Sequence, residues 1–86
     1  MARTAPDLAL YHYSTCPFCA RVRFALTRLG VEIELRNIHE DPKHLEDLVH
    51  ARGRQTVPVL RIRRPEGDEW LPESRDIVQY LERRFG

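Results

Sequence analysis

The 86-residue sequence predicts one α/β domain in which a four-stranded mixed sheet is flanked by three helices. Hydrophobic residues make up 42% of the chain and charged residues 31%, a balance typical of a folded globular protein. The spacing of the apolar residues alternates between the period of a strand and that of a helix, in the order β-α-β-α-β-β-α. Because no linker or repeat interrupts this order, we expect a single domain over residues 1–86.

The first half of the chain predicts a strand, a helix and a second strand. Residues 8–11 form a short apolar run that is typical of a buried strand. Gly30 is placed to end the helix that follows. Residues 31–36 then alternate between apolar and charged side chains, which predicts a strand with one solvated face. The apolar positions of the helix are Phe18, Val22, Ala25, Leu26 and Leu29.

A second helix follows an Asp-Pro pair. Asp41 is suited to cap its N-terminus, Pro42 suits its first position, and Gly53 is placed to end it. The predicted apolar stripe of this helix consists of Leu45, Leu48 and Val49.

The last part of the chain predicts a hairpin and a third helix. Residues 57–62 form the third strand, residues 65–68 a turn and residues 69–71 the fourth strand. Ser74 is a candidate cap for the last helix. The opening strand–helix–strand unit should be parallel with a right-handed crossover, and the closing hairpin should be antiparallel. The inner face of the last helix carries Ile77, Val78, Leu81 and Phe85.

Charge and hydropathy set the expected surroundings of the chain. The formal net charge is +1, so no overall field attracts nucleic acid or an anionic membrane. No run of residues approaches the roughly 20 apolar positions that a membrane span needs. The segment from Met1 to Asp7 is polar and lacks the apolar core of a signal peptide. We therefore expect a cytoplasmic monomer, in a compartment where thiols are kept reduced.

The two cysteines, Cys16 and Cys19, lie at the predicted start of the first helix. Pro17 suits the first helical position, so Cys16 takes the N-cap, where its sulfur can face free backbone N–H groups and the positive end of the helix dipole. In comparable settings the pKa of a cysteine falls from about 8.5 to roughly 3.5–7.5. Cys19 lies one turn further on, within disulfide reach. We interpret Cys16 as the attacking thiolate and Cys19 as the resolving thiol.

Two arginines of the first helix, Arg21 and Arg23, add positive charge near this pair. Each can equally be a solvated residue of the helix surface. For Arg23 we favour the solvated interpretation.

Two other interpretations of the cysteine pair are weaker. A structural disulfide across so short a loop would stabilise the fold little. A zinc site would need further ligands at a similar short spacing. The four histidines form no such pair, so we expect no metal site. We interpret His39, His44 and His50 as surface residues and leave open whether His12 approaches the cysteines.

Two segments resemble the glutaredoxins. Residues 14–19, Ser-Thr-Cys-Pro-Phe-Cys, resemble the active-site segment of that family, and residues 53–58, Gly-Arg-Gln-Thr-Val-Pro, resemble its cis-proline loop. The resemblance covers essentially the whole chain and implies a thioredoxin fold. It also implies a cis peptide before Pro58, which would leave the backbone of Val57 free to pair with the cysteine of glutathione as an added strand does.

A third segment resembles the N-terminal domain of glutathione transferases. In residues 71–77 the pair Glu73-Ser74 matches the Glu-Ser signature of that family. The resemblance implies that Ser74 and its N–H hold the γ-glutamyl carboxylate of glutathione, while Glu73 faces the amino group. The alternative is that Ser74 only caps the helix. Tyr13 stands where many glutaredoxins have a basic residue near the glycine carboxylate, and Arg54 or Gln55 could compensate for it.

These resemblances imply a glutathione-dependent thiol–disulfide oxidoreductase that reduces glutathione mixed disulfides and protein disulfides. Glutathione would be its co-substrate, with no permanently bound cofactor. Its partners would be disulfide-containing or glutathionylated proteins. The implied glutathione-binding set is Tyr13, Pro17, Phe18, Arg54, Gln55, Thr56, Val57, Pro58, Glu73 and Ser74.

Three alternatives remain open. A glutathione-transferase-like domain would normally need an all-helical second domain to complete its electrophile pocket. An iron–sulfur carrier would use Cys16 from two chains and two glutathiones. A redoxin dependent on thioredoxin reductase would not need the elements around Ser74.

Overall fold

The computed structural model describes residues 3–86, so the first two residues of the polar N-terminal segment lie outside the described part of the chain. Seven elements follow in the predicted order β-α-β-α-β-β-α. They are β1 (Arg3–His12), α1 (Pro17–Leu29), β2 (Val31–Asn37), α2 (Pro42–Arg52), β3 (Val59–Ile62), β4 (Glu69–Pro72) and α3 (Ser74–Phe85). None of the helices within residues 3–86 has the length and apolar character needed to span a bilayer.

The four strands form one mixed sheet in the order β2-β1-β3-β4. β1 pairs in parallel with β2, and the pairs β1–β3 and β3–β4 are antiparallel. The parallel pair is joined through α1, whereas β3 and β4 form a hairpin, as the connection lengths require. The prediction of a thioredoxin-type mixed sheet is confirmed.

Both faces of the sheet are covered by helices, because the side chains of β1 alternate between them. Leu8 and Leu10 lie in a large apolar cluster with residues of α1 and α3. Ala9 and Tyr11 point the other way, into a smaller cluster with Leu48 of α2. Two helices therefore pack on one face and a single helix on the other, and the N-terminus of α1 lies at the end of the central strand β1.

Local sequence signals set the ends of the first two helices. The carboxylate of Asp41 accepts the backbone N–H of Lys43 and so caps α2. Gly30 and Gly53 end α1 and α2 with φ of 68° and 70°, in the left-handed region that glycine adopts without strain. These predicted boundaries are confirmed.

Three apolar residues predicted to be buried are exposed. Phe18 is 55% exposed, because the α1 side chains that pack into the apolar cluster on the sheet are Val22, Leu26 and Leu29 and not Phe18. Leu35 is 48% exposed, because β2 is the edge strand and the neighbouring part of α1 presents Arg23 and Thr27. Val49 is 37% exposed on α2, whose buried contacts to the sheet are made by Leu48.

A polar cluster lies on the α2 face of the sheet. The buried Tyr11 hydroxyl accepts hydrogen bonds from Arg36 at 2.5 Å and from Arg61 at 3.3 Å. The ring of His44 meets that of Tyr11 edge-on, with the centroids 6.4 Å apart. His44 is therefore half-buried, and its interpretation as a surface residue is wrong, because α2 turns it toward the sheet.

Candidate active site

The first turn of α1 is built around Cys16. This residue has the extended backbone of an N-cap, with φ −79° and ψ 118°, and Pro17 begins the helix. Its sulfur accepts the backbone N–H of Cys19 at 3.3 Å, so the side chain satisfies one of the free donors of the helix N-terminus. Both cysteines are free thiols and both are buried, with Cys16 4% exposed and Cys19 0% exposed.

The pKa values of the two thiols move in opposite directions. Burial alone would raise the pKa of Cys16, but hydrogen bonds from the thiol and the backbone N–H of Cys19 outweigh burial and lower it. The backbone N–H of Phe18 and the Tyr13 hydroxyl act in the same direction. Burial first, and then the Cys16 sulfur, raise the pKa of Cys19 to about 12. The opposite directions of the two pKa shifts therefore favour ionisation of Cys16 over Cys19.

Arg23 anchors the loop that leads from β1 to Cys16. Its guanidinium donates to the backbone carbonyl of Ser14 at 3.2 Å and lies 3.5 Å from that of Tyr13. It also lies 3.1 Å from Nδ1 of His12, which is 7% exposed. Burial, followed by the charge of Arg23, lowers the pKa of His12. The interpretation of Arg23 as a solvated residue is wrong, because the side chain folds back over this loop and forms three contacts with it.

Tyr13 lies between Cys16 and the segment that follows β2. Its ring stacks on that of the exposed His39, with a centroid distance of 4.4 Å and an interplanar angle of 18°. The Cys16 sulfur raises the pKa of the Tyr13 hydroxyl, since a thiolate nearby disfavours a second negative charge. Tyr13 thus acts on the charge of the Cys16 sulfur, a role distinct from the carboxylate contact considered from the sequence.

A cleft beside the N-terminus of α1, which we call the Pro58 cleft, has a volume of about 210 Å³. The Val57–Pro58 peptide on its wall is cis, as the glutaredoxin resemblance implied. The cleft brings together seven residues of the implied glutathione-binding set. They are Phe18, Arg54, Thr56, Val57, Pro58, Glu73 and Ser74. The other three, Tyr13, Pro17 and Gln55, do not line it.

Three further residues line the cleft and were not predicted from the sequence: Arg52, Pro72 and Arg75. Nε of Arg52 is buried and has no hydrogen-bond partner within residues 3–86. The only local signal for Arg52 was its position before Gly53, at the predicted end of α2. Its approach to the cleft depends on how α2 packs against the sheet, which that signal does not specify.

The start of α3 differs from the predicted serine cap. Glu73 occupies the N-cap position with φ 72°, and its side chain makes no capping hydrogen bond. Ser74 is the first helical residue and is 9% exposed. The cap interpretation of Ser74 is therefore wrong, because α3 begins one residue earlier than a cap at Ser74 requires. The first turn of α3, whose backbone N–H groups have no partner within the helix, contributes Ser74 and Arg75 to the lining of the Pro58 cleft.

The chain matches one described protein family. The family described as the glutathione S-transferase N-terminal domain matches residues 10–86. Among curated proteins, the chain is 29% identical over 79 residues to glutaredoxin 2 of Escherichia coli, covering 92% of this chain but 34% of that protein. It is 30% identical over 56 residues to glutaredoxin 3 of Escherichia coli, covering 65% of this chain and 68% of that protein. The chain thus spans about a third of the length of glutaredoxin 2.

Solved structures show the same architecture. A maleylacetoacetate isomerase from Anaeromyxobacter dehalogenans, with glutathione bound in its active site, superposes with a TM-score of 0.69 at 29% identity, covering 92% of this chain and 38% of that protein. The holo form of glutaredoxin C1 from Populus tremula x tremuloides superposes with a TM-score of 0.65 at 24% identity, covering 92% and 76%. At that identity the second likeness concerns the fold alone.

Proposed function

The chain belongs to the glutathione S-transferase N-terminal domain family, and from this premise we propose that it is a glutathione-dependent thiol–disulfide oxidoreductase of the glutaredoxin type. One observation carries the proposal: the pKa values of the two thiols are shifted in opposite directions. The Cys16 sulfur caps a helix and has a lowered pKa, whereas burial raises the pKa of Cys19 to about 12. A nucleophile and a protonated partner are what thiol–disulfide exchange requires.

The proposed first step is attack of the Cys16 thiolate on the glutathione sulfur of a mixed disulfide. A new bond forms between Cys16 and glutathione, and the substrate leaves as a thiolate that takes a proton from water. In the second step the thiolate of another glutathione attacks the glutathione sulfur bound to Cys16. The bond between Cys16 and glutathione breaks and oxidised glutathione leaves. Cys16 keeps the electron pair of that bond and is regenerated as a thiolate.

A protein disulfide would use both cysteines. The Cys16 thiolate attacks one sulfur of the substrate disulfide and forms a mixed disulfide with it, and the other substrate sulfur leaves as a thiolate that takes a proton from water. The Cys19 thiol then gives its proton to solvent and attacks the Cys16 sulfur. The Cys16–Cys19 disulfide forms, and the first substrate sulfur leaves as a thiolate that is protonated in turn. Two glutathiones reduce that disulfide and leave as oxidised glutathione.

The Pro58 cleft supports glutathione as the co-substrate. The backbone of Val57, next to the cis peptide, is available to pair with the cysteinyl residue of the tripeptide. Ser74 and the first turn of α3 offer hydroxyl and N–H donors for the γ-glutamyl carboxylate, and Glu73 offers a carboxylate for the amino group. Arg54 of the implied set, joined by Arg52, supplies cations for the glycine carboxylate.

The test is glutathione-driven reduction of a small glutathione mixed disulfide, coupled to glutathione reductase and NADPH. We expect turnover by the wild type and by Cys19→Ser, and none by Cys16→Ser. For a protein disulfide we expect Cys19→Ser to be impaired. Equal activity of the wild type and Cys16→Ser, or equal loss in both cysteine variants on the small substrate, would contradict the proposal.

A second candidate function is glutathione transfer to an electrophile. It is favoured by the family match over residues 10–86 and by the position of Ser74 beside the Pro58 cleft. Conjugation of 1-chloro-2,4-dinitrobenzene that persists in Cys16→Ser and is lost in Ser74→Ala would favour this candidate. Conjugation that requires Cys16, or that is absent, would favour the oxidoreductase.

A further inference from the structure

The arginines of this chain fall into two groups. Most donate a hydrogen bond or form a salt bridge, as Arg84 does with Asp7 at 2.8 Å and Arg28 with Glu82 at 2.9 Å. Five make neither contact within residues 3–86. They are Arg21, Arg52, Arg54, Arg75 and Arg83.

Four of these five unpaired arginines lie at the Pro58 cleft or next to it. Arg52, Arg54 and Arg75 line the cleft, and Glu73 is the only acidic residue among its lining residues within residues 3–86. Arg21 lies over the exposed ring of Phe18, with its guanidinium carbon 5.8 Å from the ring centroid. Positive charge that is mostly paired elsewhere on the surface is therefore left unpaired around the Pro58 cleft and the first turn of α1, although the net charge of the chain is only +1.

Glutathione does not account for all of this charge. At neutral pH it carries two carboxylates and one ammonium group. Arg52 and Arg54 suffice for its glycine carboxylate, and Glu73 and Ser74 are assigned to its γ-glutamyl end. Arg21 and Arg75 remain. They line a common groove of about 450 Å³ between α1 and α3, together with the exposed Phe24, and this groove shares Ser74 and Arg75 with the Pro58 cleft.

We propose that Arg21 and Arg75 form a docking surface for an acidic segment of the protein substrate, next to its glutathionylated cysteine. This inference rests on the proposed function and specifies its substrate class. The exposed phenyl rings of Phe18 and Phe24 supply apolar contact, and the two guanidinium groups select carboxylate side chains. The acidic residue that lines this groove, Glu82, is paired with Arg28 at 2.9 Å and therefore does not neutralise Arg21 or Arg75.

The kinetic test compares three short peptides with one glutathionylated cysteine, flanked on each side by two glutamates, two glutamines or two lysines. We expect the wild type to favour the glutamate peptide over the glutamine peptide by about three- to tenfold in kcat/KM, since exposed ion pairs are individually weak. The preference should shrink as NaCl is raised from 0.05 to 0.5 M, because salt screens exposed charges.

Variants then assign the preference to residues. In Arg21→Gln/Arg75→Gln the ratio of glutamate to glutamine peptide should fall to about one, and in Arg21→Glu/Arg75→Glu the lysine peptide should become the better substrate. Arg83→Gln is the matched control, an unpaired arginine at the far end of α3, and should keep the wild-type ratio. No preference in the wild type, an unchanged ratio in Arg21→Gln/Arg75→Gln, or an equal loss in Arg83→Gln overturns the docking surface.

A binding measurement separates this inference from the proposed function. Fluorescence anisotropy of the same labelled peptides with Cys16→Ser requires no turnover. Tighter binding of the glutamate peptide that depends on Arg21 and Arg75 supports the docking surface even if the small mixed disulfide is not reduced. Equal binding of all three peptides rejects it even if the small substrate is reduced rapidly.

Discussion

The helices α1 and α3 begin on neighbouring walls of the same cleft, yet their first turns are completed differently. In α1 the sulfur of Cys16 accepts the backbone N–H of Cys19, so the donor groups of the helix stabilise a charge that belongs to the protein itself. In α3 the N-cap residue Glu73 has a positive φ and makes no side-chain cap, and Ser74 is buried at the first helical position. One helix terminus is thus suited to activating a nucleophile, and the other keeps its donors available for a ligand.

Replacing the cap of α1 should separate its chemical role from its structural role. Cys16→Ser should lower turnover by about a thousandfold or more, because it removes the nucleophile. It should change the free energy of unfolding by less than about 0.5 kcal/mol, because serine is a good N-cap, whereas Cys16→Ala should cost about 1 kcal/mol. Urea denaturation of both variants checks this. Equal stability of the serine and alanine variants would show that the cap contributes nothing.

The loop that delivers Cys16 to the start of α1 should depend on Arg23. Arg23→Met removes the charged donor that holds the Ser14 and Tyr13 carbonyls, and we expect a loss of about 2 kcal/mol in the free energy of unfolding. Arg23→Lys should recover only part of this, because one ammonium group cannot reproduce the fork of a guanidinium. Urea denaturation measures the effect, with Arg83→Met as the surface control, and equal values for the two methionine variants would contradict the loop contact.

The start of α3 should behave as a ligand site and not as a cap. Ser74→Ala should raise the KM for glutathione about tenfold, because a hydrogen bond to a charged group is lost. Its free energy of unfolding should change little. Asp41→Ala, which removes the true cap of α2, should do the reverse, with a loss of about 1 kcal/mol and an unchanged KM. A stability loss in Ser74→Ala as large as that in Asp41→Ala would restore the cap interpretation.

The smallest effect concerns the hydroxyl of Tyr13. Because its interaction lowers the pKa of Cys16, Tyr13→Phe should raise that pKa and reduce the thiolate fraction at neutral pH. Alkylation by iodoacetamide, measured against pH in a Cys19→Ser background, should be slower by about two- to fivefold below the wild-type pKa. The two profiles should converge at alkaline pH, where the Cys16 thiol is ionised with either residue at position 13. Superimposable profiles would show that Tyr13 does not act on the sulfur.

The helix ends show how much of the site follows from local sequence. Cys16 with Pro17, and Asp41 with Pro42, mark helix starts because an N-cap and a following proline act within one turn of the chain. The assignment of the attacking and resolving thiols depended on the same local geometry, and the directions of the two pKa shifts agree with it. The cis peptide before Pro58 had no local signal strong enough to predict it, and followed from the family resemblance.

Positions that depend on packing between elements were predicted less well. Leu35 has the alternation of a buried strand residue, but β2 lies at the sheet edge and α1 covers only part of it. Phe18 has the spacing of a core residue, but its side chain lines the Pro58 cleft and is not part of the apolar cluster on the sheet. In both cases the apolar pattern along one element does not specify which of its side chains the neighbouring element covers.

The sequence by itself determined the order of the seven elements, the caps of α1 and α2 and the placement of both cysteines in the first turn of α1, because each depends on residues within about one helical turn. Only the tertiary structure decided that Arg23 anchors the Cys16 loop and that Arg52 and Arg75 line the Pro58 cleft. It also decided that Glu73, not Ser74, precedes α3. These features join segments that are distant in the chain, and their geometry exists only once both helix layers have packed on the sheet.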